Sequence, residues 1–114
     1  MKEKWQVALF LQRAKDYVRK HGIILVPRDG SLRFITGSGM SIEQLHSLVF
    51  SLDESDCFDG PENDRDDRFQ GWTVAEFAPR FQGKRLYLKL SIKVESERCK
   101  CLSIKLYSGK KGKL

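Results

Sequence analysis

Two stretches decide how this chain is read: Arg85-Leu-Tyr-Leu-Lys-Leu-Ser-Ile-Lys-Val94 and, four residues later, Cys99-Lys-Cys-Leu-Ser-Ile-Lys-Leu-Tyr-Ser108. Successive side chains of a β-strand point to opposite faces, so strict apolar/polar alternation marks a strand with one dry and one wet side. In the first stretch Leu86, Leu88, Leu90, Ile92 and Val94 fall on one face and Tyr87, Lys89, Ser91 and Lys93 on the other. In the second, Lys100, Leu102, Ile104 and Leu106 share one face, and Cys99, Cys101, Ser103, Lys105 and Tyr107 the other. Joined by a turn around Ser96-Glu97-Arg98, the two form an antiparallel hairpin. Opposed residues of such a pair share a face. Burying both aliphatic rows together therefore sets Tyr87 opposite Lys105 or Tyr107, with Lys89 nearby, on one solvent-facing patch.

Working outward, Trp72 to Phe77 alternates in the same way and is closed by Pro79, and Phe81-Gln-Gly-Lys84 reads as a turn. Towards the N-terminus the period changes. In residues 4–20 Trp5, Ala8, Leu9, Leu11 and Val18 recur at helical spacing, with Arg19, Lys20 and His21 at the end and Gly22 as a stop. Ile23-Ile24-Leu25-Val26 before Pro27 is a short strand. Residues 29–37 fit either a hairpin at Asp29-Gly30 or a turn or two of helix. Ser41-Ile-Glu-Gln44 is a capping box, and Ile42, Leu45, Leu48, Val49 and Leu52 form the apolar stripe of the helix it starts. His46 lies off that stripe and reads as a surface residue, not a catalyst. Residues 53–71 read as a long acidic loop, and Gly109–Leu114 as a flexible basic tail. The expected architecture is a single α+β domain, residues 1–114, with two or three helices on one face of a mainly antiparallel sheet.

Charge is unevenly placed along the 114 residues. Residues 53–67 hold eight acids against Arg65, a net of −7, so the remainder of this +6 chain carries +13. Residues 80–114 alone are +9. Such a surface draws phosphate-rich polymers by counterion release. No apolar run reaches the length of a membrane span, and no secretory h-region opens the sequence, so a cytoplasmic protein is expected. Three cysteines, two of them in a C-x-C spacing, and two scattered histidines give no ligand set for zinc. Reduced, packed thiols are expected, with no metal and no cofactor.

The Tyr87, Lys89, Lys105, Tyr107 patch suits phosphate chemistry. RNA is cleaved without metal when its own 2′-OH attacks the adjacent phosphorus, provided protons are moved and the phosphoryl charge is stabilised. Lysines supply that charge. A tyrosine hemmed in by ammonium groups has its charged form favoured, and its ring stacks on unpaired bases.

The chain also resembles a known family. Leu25-Val-Pro-Arg-Asp29, the capped helix, Ser51-Leu-Asp-Glu-Ser-Asp56, Phe58-Asp-Gly-Pro61, Trp72, Gly83-Lys-Arg-Leu-Tyr-Leu-Lys-Leu90 and Cys101-Leu-Ser-Ile104 are similar to the MqsR-type toxins, grouped with the RelE-like toxins of bacterial type II toxin–antitoxin systems. The resemblance covers about residues 20–107. It implies a compact α+β toxin that cleaves mRNA without metal and is neutralised by a cognate antitoxin protein. It also implies active residues at the tyrosine of Tyr-Leu-Lys and at the lysine of the last strand, which are Tyr87 and Lys105. Two family positions differ: a lysine falls near Asp59 and a glutamine near Thr73 or Val74.

The function expected is thus an mRNA endoribonuclease. Tyr87, Lys105 and Lys89 act as catalytic residues, and Arg80, Lys84, Arg85, Lys93 and Tyr107 as RNA contacts. The alternatives are a non-catalytic RNA- or protein-binding module of the same fold, and a structural partner whose acidic loop docks a basic protein.

Overall fold

The computed structural model describes residues 3–108. The basic tail, Gly109–Leu114, lies outside them. The elements run α1 (Lys4–His21), β1 (Ile24–Leu25), α2 (Asp29–Ser38), α3 (Ile42–Ser51), β2 (Cys57–Asn63), β3 (Trp72–Phe77), β4 (Arg80–Phe81), β5 (Lys84–Lys93) and β6 (Arg98–Leu106). The sheet order is β1-β6-β5-β3-β2, with β4 paired to the start of β5. Among the described residues only the β1–β6 pairing is parallel. The fold is α+β, as the alternation and periodicity require. No helix among the described residues is long and apolar enough to cross a membrane.

The helices form where local chemistry favours them. Ser41 accepts from the Gln44 amide at 3.1 Å while Gln44 Oε1 accepts from the Ser41 amide at 2.9 Å, which completes the capping box of α3. The buried face of α1 is Val7, Phe10, Leu11, Ala14, Tyr17 and Val18, a three-and-four spacing. Trp5, read from sequence as part of that stripe, is instead 64% exposed, and Ile42 lies exposed at the start of α3. Both sit in a first helical turn. Residues 29–38 resolve their ambiguity as helix. His46 is half-buried, and its Nε2 accepts the Ile23 amide at 3.2 Å, tying α3 to the entrance of β1.

Helices and sheet share one core. Phe77, Leu86, Leu88, Leu90, Ile92, Cys99, Cys101 and Ile104 point inward against α1 and α3, and Phe10 meets Phe77 with ring centroids 5.9 Å apart. Phe34 and Ile35 of α2 close the same core near β6.

Three readings of the strands are corrected. First, the β5–β6 register slips by one residue at Leu102: Lys89 faces Ser103, but Leu90 faces Cys101. This bulge turns Cys99 and Cys101 into the core and Lys100 outward, reversing their expected faces. Burial pushes both thiols up to about 12. Second, Val94 has left the strand for the turn and is exposed. Third, the acidic segment is not one long loop. Residues 57–63 are β2, paired with β3 despite two register shifts. Backbone pairing overrides a composition poor in strand formers, and Gly60 fits because it takes φ +83 where a Cβ would lie 2.6 Å from the Val74 carbonyl.

The bulge is pinned from α2. Ser31 is buried, and its Oγ accepts the Ile104 amide at 3.0 Å. That amide lies past the end of β1, where β6 has no strand partner on this side. Ser31→Ala strands a buried N–H, so unfolding stability falls by about 1–3 kcal/mol in denaturant titration; a change near zero contradicts the assignment. Thiol labelling of the native protein modifies Cys57, and reaches Cys99 and Cys101 only on unfolding; prompt labelling of either buried thiol contradicts the inward register.

Candidate active site and nucleic-acid face

The sheet surface opposite the helices carries the candidate site. Tyr87 and Lys105 are direct register partners across β5 and β6. The Lys105 ammonium stands 5.3 Å from the Tyr87 ring centroid, a cation–π distance. Lys89, the next outward residue of β5, faces Ser103 on one side and Glu76 of β3 on the other. Tyr107 approaches through an aromatic bridge: the Phe58 ring is 6.1 Å from that of Tyr87 and 5.8 Å edge-on from that of Tyr107.

The remaining sequence candidates are spread along β5. Arg85 is in the outward row two residues before Tyr87, and its Nη1 donates to the Ala78 carbonyl at 2.7 Å. Arg80 is its strand partner, and Lys84 is exposed at the start of the strand. Lys93 ends the row opposite Trp72 and Arg98. The structure thus brings Tyr87, Lys89 and Lys105 together, leaves Arg80, Lys84 and Arg85 at one end, and puts Lys93 at the other.

The environment of Tyr87 differs from the one expected. Its hydroxyl donates to Glu76 Oε1 at 2.9 Å. Partial burial, this hydrogen bond, the Glu76 charge and Asp59 all raise its pKa above 10.0, and only Arg28 opposes them. The phenol is therefore held protonated, not primed to ionise. The alternation could not reveal this. It places Glu76 on the outward face of its strand, but only the β3–β5 register brings that carboxylate beside Tyr87. Asp59, opposite Glu76 on β2, adds a second negative charge at the site.

Sequence reasoning also missed a second cluster on this face. The Lys100 ammonium lies 4.0 Å from the Trp72 ring centroid and 4.6 Å from that of Phe69. Its signal was hidden by the bulge, since uninterrupted alternation assigns Lys100 to the core. Among the described residues Lys89, Lys93, Arg98, Lys100 and Lys105 are in no ion pair. Arg68 differs, clamping Asp66 at 2.6 Å and pulling that carboxyl down to about 2. Among the described residues no group of three or more His, Cys, Asp or Glu side chains is placed to hold a metal ion.

A groove of about 880 Å³ adjoins this site, between the start of α1 and β2, lined by Lys4, Val7, Asp53, Glu54, Phe58 and Asp59 among others, so that Phe58 and Asp59 belong to both. Its acidic walls repel phosphate, so size does not locate the chemistry here. Charge and hydrogen bonding favour the flat β5–β6 face.

Compared with known proteins, the chain matches no family model, and no curated protein matches it.

The Tyr87 assignment has a spectroscopic consequence. A raised folded-state value means that the stability this phenol contributes is intact below pH 10.0 and declines above it, as the unfolded chain ionises first. The ultraviolet difference between the parent and Tyr87→Phe therefore shows little phenolate at pH 10.0 in the folded state. A half-developed phenolate signal from Tyr87 at that pH contradicts the Glu76 hydrogen bond.

Proposed function

We propose that this chain is an RNA-cleaving toxin of the MqsR type, a metal-independent mRNA endoribonuclease held in check by an antitoxin protein. The observation that carries the reading is the Glu76–Tyr87–Lys105 constellation on an outward sheet face rich in unpaired cations.

The chemistry follows from the hydrogen bond. The RNA 2′-OH gives its proton to the Tyr87 oxygen as Tyr87 passes its own proton to the Glu76 carboxylate. The 2′-oxygen forms its bond to phosphorus, and the bond from phosphorus to the 5′-oxygen breaks. Lys105 protonates the leaving 5′-oxygen, and Lys89 offsets the charge that gathers on the phosphoryl oxygens. The products are a 2′,3′-cyclic phosphate and a 5′-hydroxyl end. This relay never requires free phenolate, which agrees with the raised pKa. Arg80, Lys84, Arg85 and Lys93 extend the positive track on which RNA lies.

A second reading, a non-catalytic RNA-binding module of the same fold, also has support. The family lysine near Asp59 is replaced by a carboxylate that lies beside Glu76. The family glutamine falls near Thr73, whose strand position faces inward, or Val74, which is buried.

One assay separates the two. Purified protein is incubated with single-stranded RNA in EDTA, and 2′,3′-cyclic phosphate ends are scored. The enzyme reading expects cleavage that falls about 10²- to 10⁴-fold in Tyr87→Phe, Glu76→Gln and Lys105→Ala. Binding without cleavage by the parent protein supports the module. Cleavage undiminished in all three variants overturns the assignment of residues.

A further inference from the structure

The Lys100 cluster is not used by the cleavage chemistry, and its geometry is unusual. Lys100 is on β6 and Trp72 on β3, with β5 between them. Strands are spaced about 4.8 Å apart, so the lysine stem must cross the width of β5 to bring its ammonium over the indole. The residue beneath that crossing is Ser91, the register partner of both Lys100 and Val74. Ser91 is only 1% exposed although it faces away from the core, as a covering stem requires. The Phe69 ring centroid lies 4.6 Å from the same ammonium.

We propose that Phe69, Trp72 and Lys100 form a base-stacking subsite, so that the RNA taken by this face is single-stranded and runs along β5 from Tyr87 towards Trp72. The inference rests on reading the face as an RNA surface and specifies which RNA it accepts. Three observations support it. Both rings are half-buried, so part of each still meets solvent. The lysine holds them in place before any ligand arrives, which reduces the ordering that binding must impose. No carboxylate among the described residues neutralises Lys100, Lys93 or Arg98 around the rings, leaving three cations for phosphates beside an aromatic surface for a base.

Spacing makes the two subsites separate. Ser91 and Tyr87 are four residues apart on one strand, about 13 Å at roughly 3.3 Å per residue. That exceeds the reach of one nucleotide, so the platform engages a base beyond the scissile pair. A duplex, whose bases are already stacked inside, presents none to it.

The test uses the indole as its own reporter. Trp5 and Trp72 are the two tryptophans, so Trp5→Phe, a change at an exposed position, leaves Trp72 alone to fluoresce. A single-stranded RNA with every 2′-OH methylated binds without being cut. Titrating it is expected to quench Trp72 saturably, and Trp72→Ala to weaken binding about tenfold, with Trp72→Phe retaining most of the affinity. If Trp72→Ala fails to fold by circular dichroism, Lys100→Gln substitutes for it: weaker binding and an altered Trp72 emission are then expected. Equal quenching by duplex RNA or heparin overturns the proposal, because charge alone then explains binding. Cleavage of RNA with no Trp72 response overturns it while leaving the nuclease intact. Quenching and tighter single-strand binding without cleavage uphold the platform and overturn the nuclease. No RNA binding overturns both.

Discussion

A single hydrogen bond from a helix to a strand organises the functional face. Ser31 Oγ accepts the Ile104 amide next to the Leu102 bulge. With one extra residue in β6, Cys101 and Ile104 both point into the core although they are three apart, an odd interval. By the same shift Lys100 and Lys105, five apart, both point out. An unbulged strand could present one of these lysines to solvent only by burying the other, and a buried unpaired ammonium is strongly unfavourable. Packing of the core and positive charge on the outer face therefore depend on the same irregularity, held by one hydroxyl.

The outer face has two chemically different ends. At the Tyr87 end, carboxylates from β2 and β3 stand beside lysines from β5 and β6, so protons can be accepted and given within a few ångströms. Towards Trp72 the Lys100 ammonium rests on two aromatic rings, and the Asp66–Arg68 pair stands beside one of them, Phe69. The first arrangement suits proton transfer and the second suits holding a charged polymer with planar bases. The acidic segment, which at first reading opposes an RNA partner, supplies in Asp59 part of the electrostatics that hold Tyr87 protonated.

Much of this was legible in the residues. The period-two rows of β5 set Leu86 to Ile92 inward and Tyr87 outward, the Ser41 box fixed the start of α3, and parity narrowed the residue across from Tyr87 to Lys105 or Tyr107, of which the register selects Lys105. What escaped were long-range effects. Lys100, in a row otherwise made of Leu102, Ile104 and Leu106, is at odds with unbroken alternation, but nothing in Cys99-Lys-Cys-Leu-Ser-Ile marks where the register shifts. β2 is held by pairing with β3, and its own composition of Asp, Gly, Pro, Glu and Asn argues for a loop. The partnership of Glu76 with Tyr87 needs the register between β3 and β5, which β4 separates along the chain.

The perimeter of the sheet has its own consequence. β2 forms one border, with Pro61, two acids and broken register along it. On the opposite border β1 is two residues long and stops before Pro27, and beyond it α2 covers β6. Neither rim offers a regular ladder of unsatisfied amides and carbonyls, so strand addition, the route by which many sheets recruit a peptide or assemble into fibrils, is blocked on both sides. Any protein that binds this chain would have to engage its side chains and leave the six-stranded sheet complete.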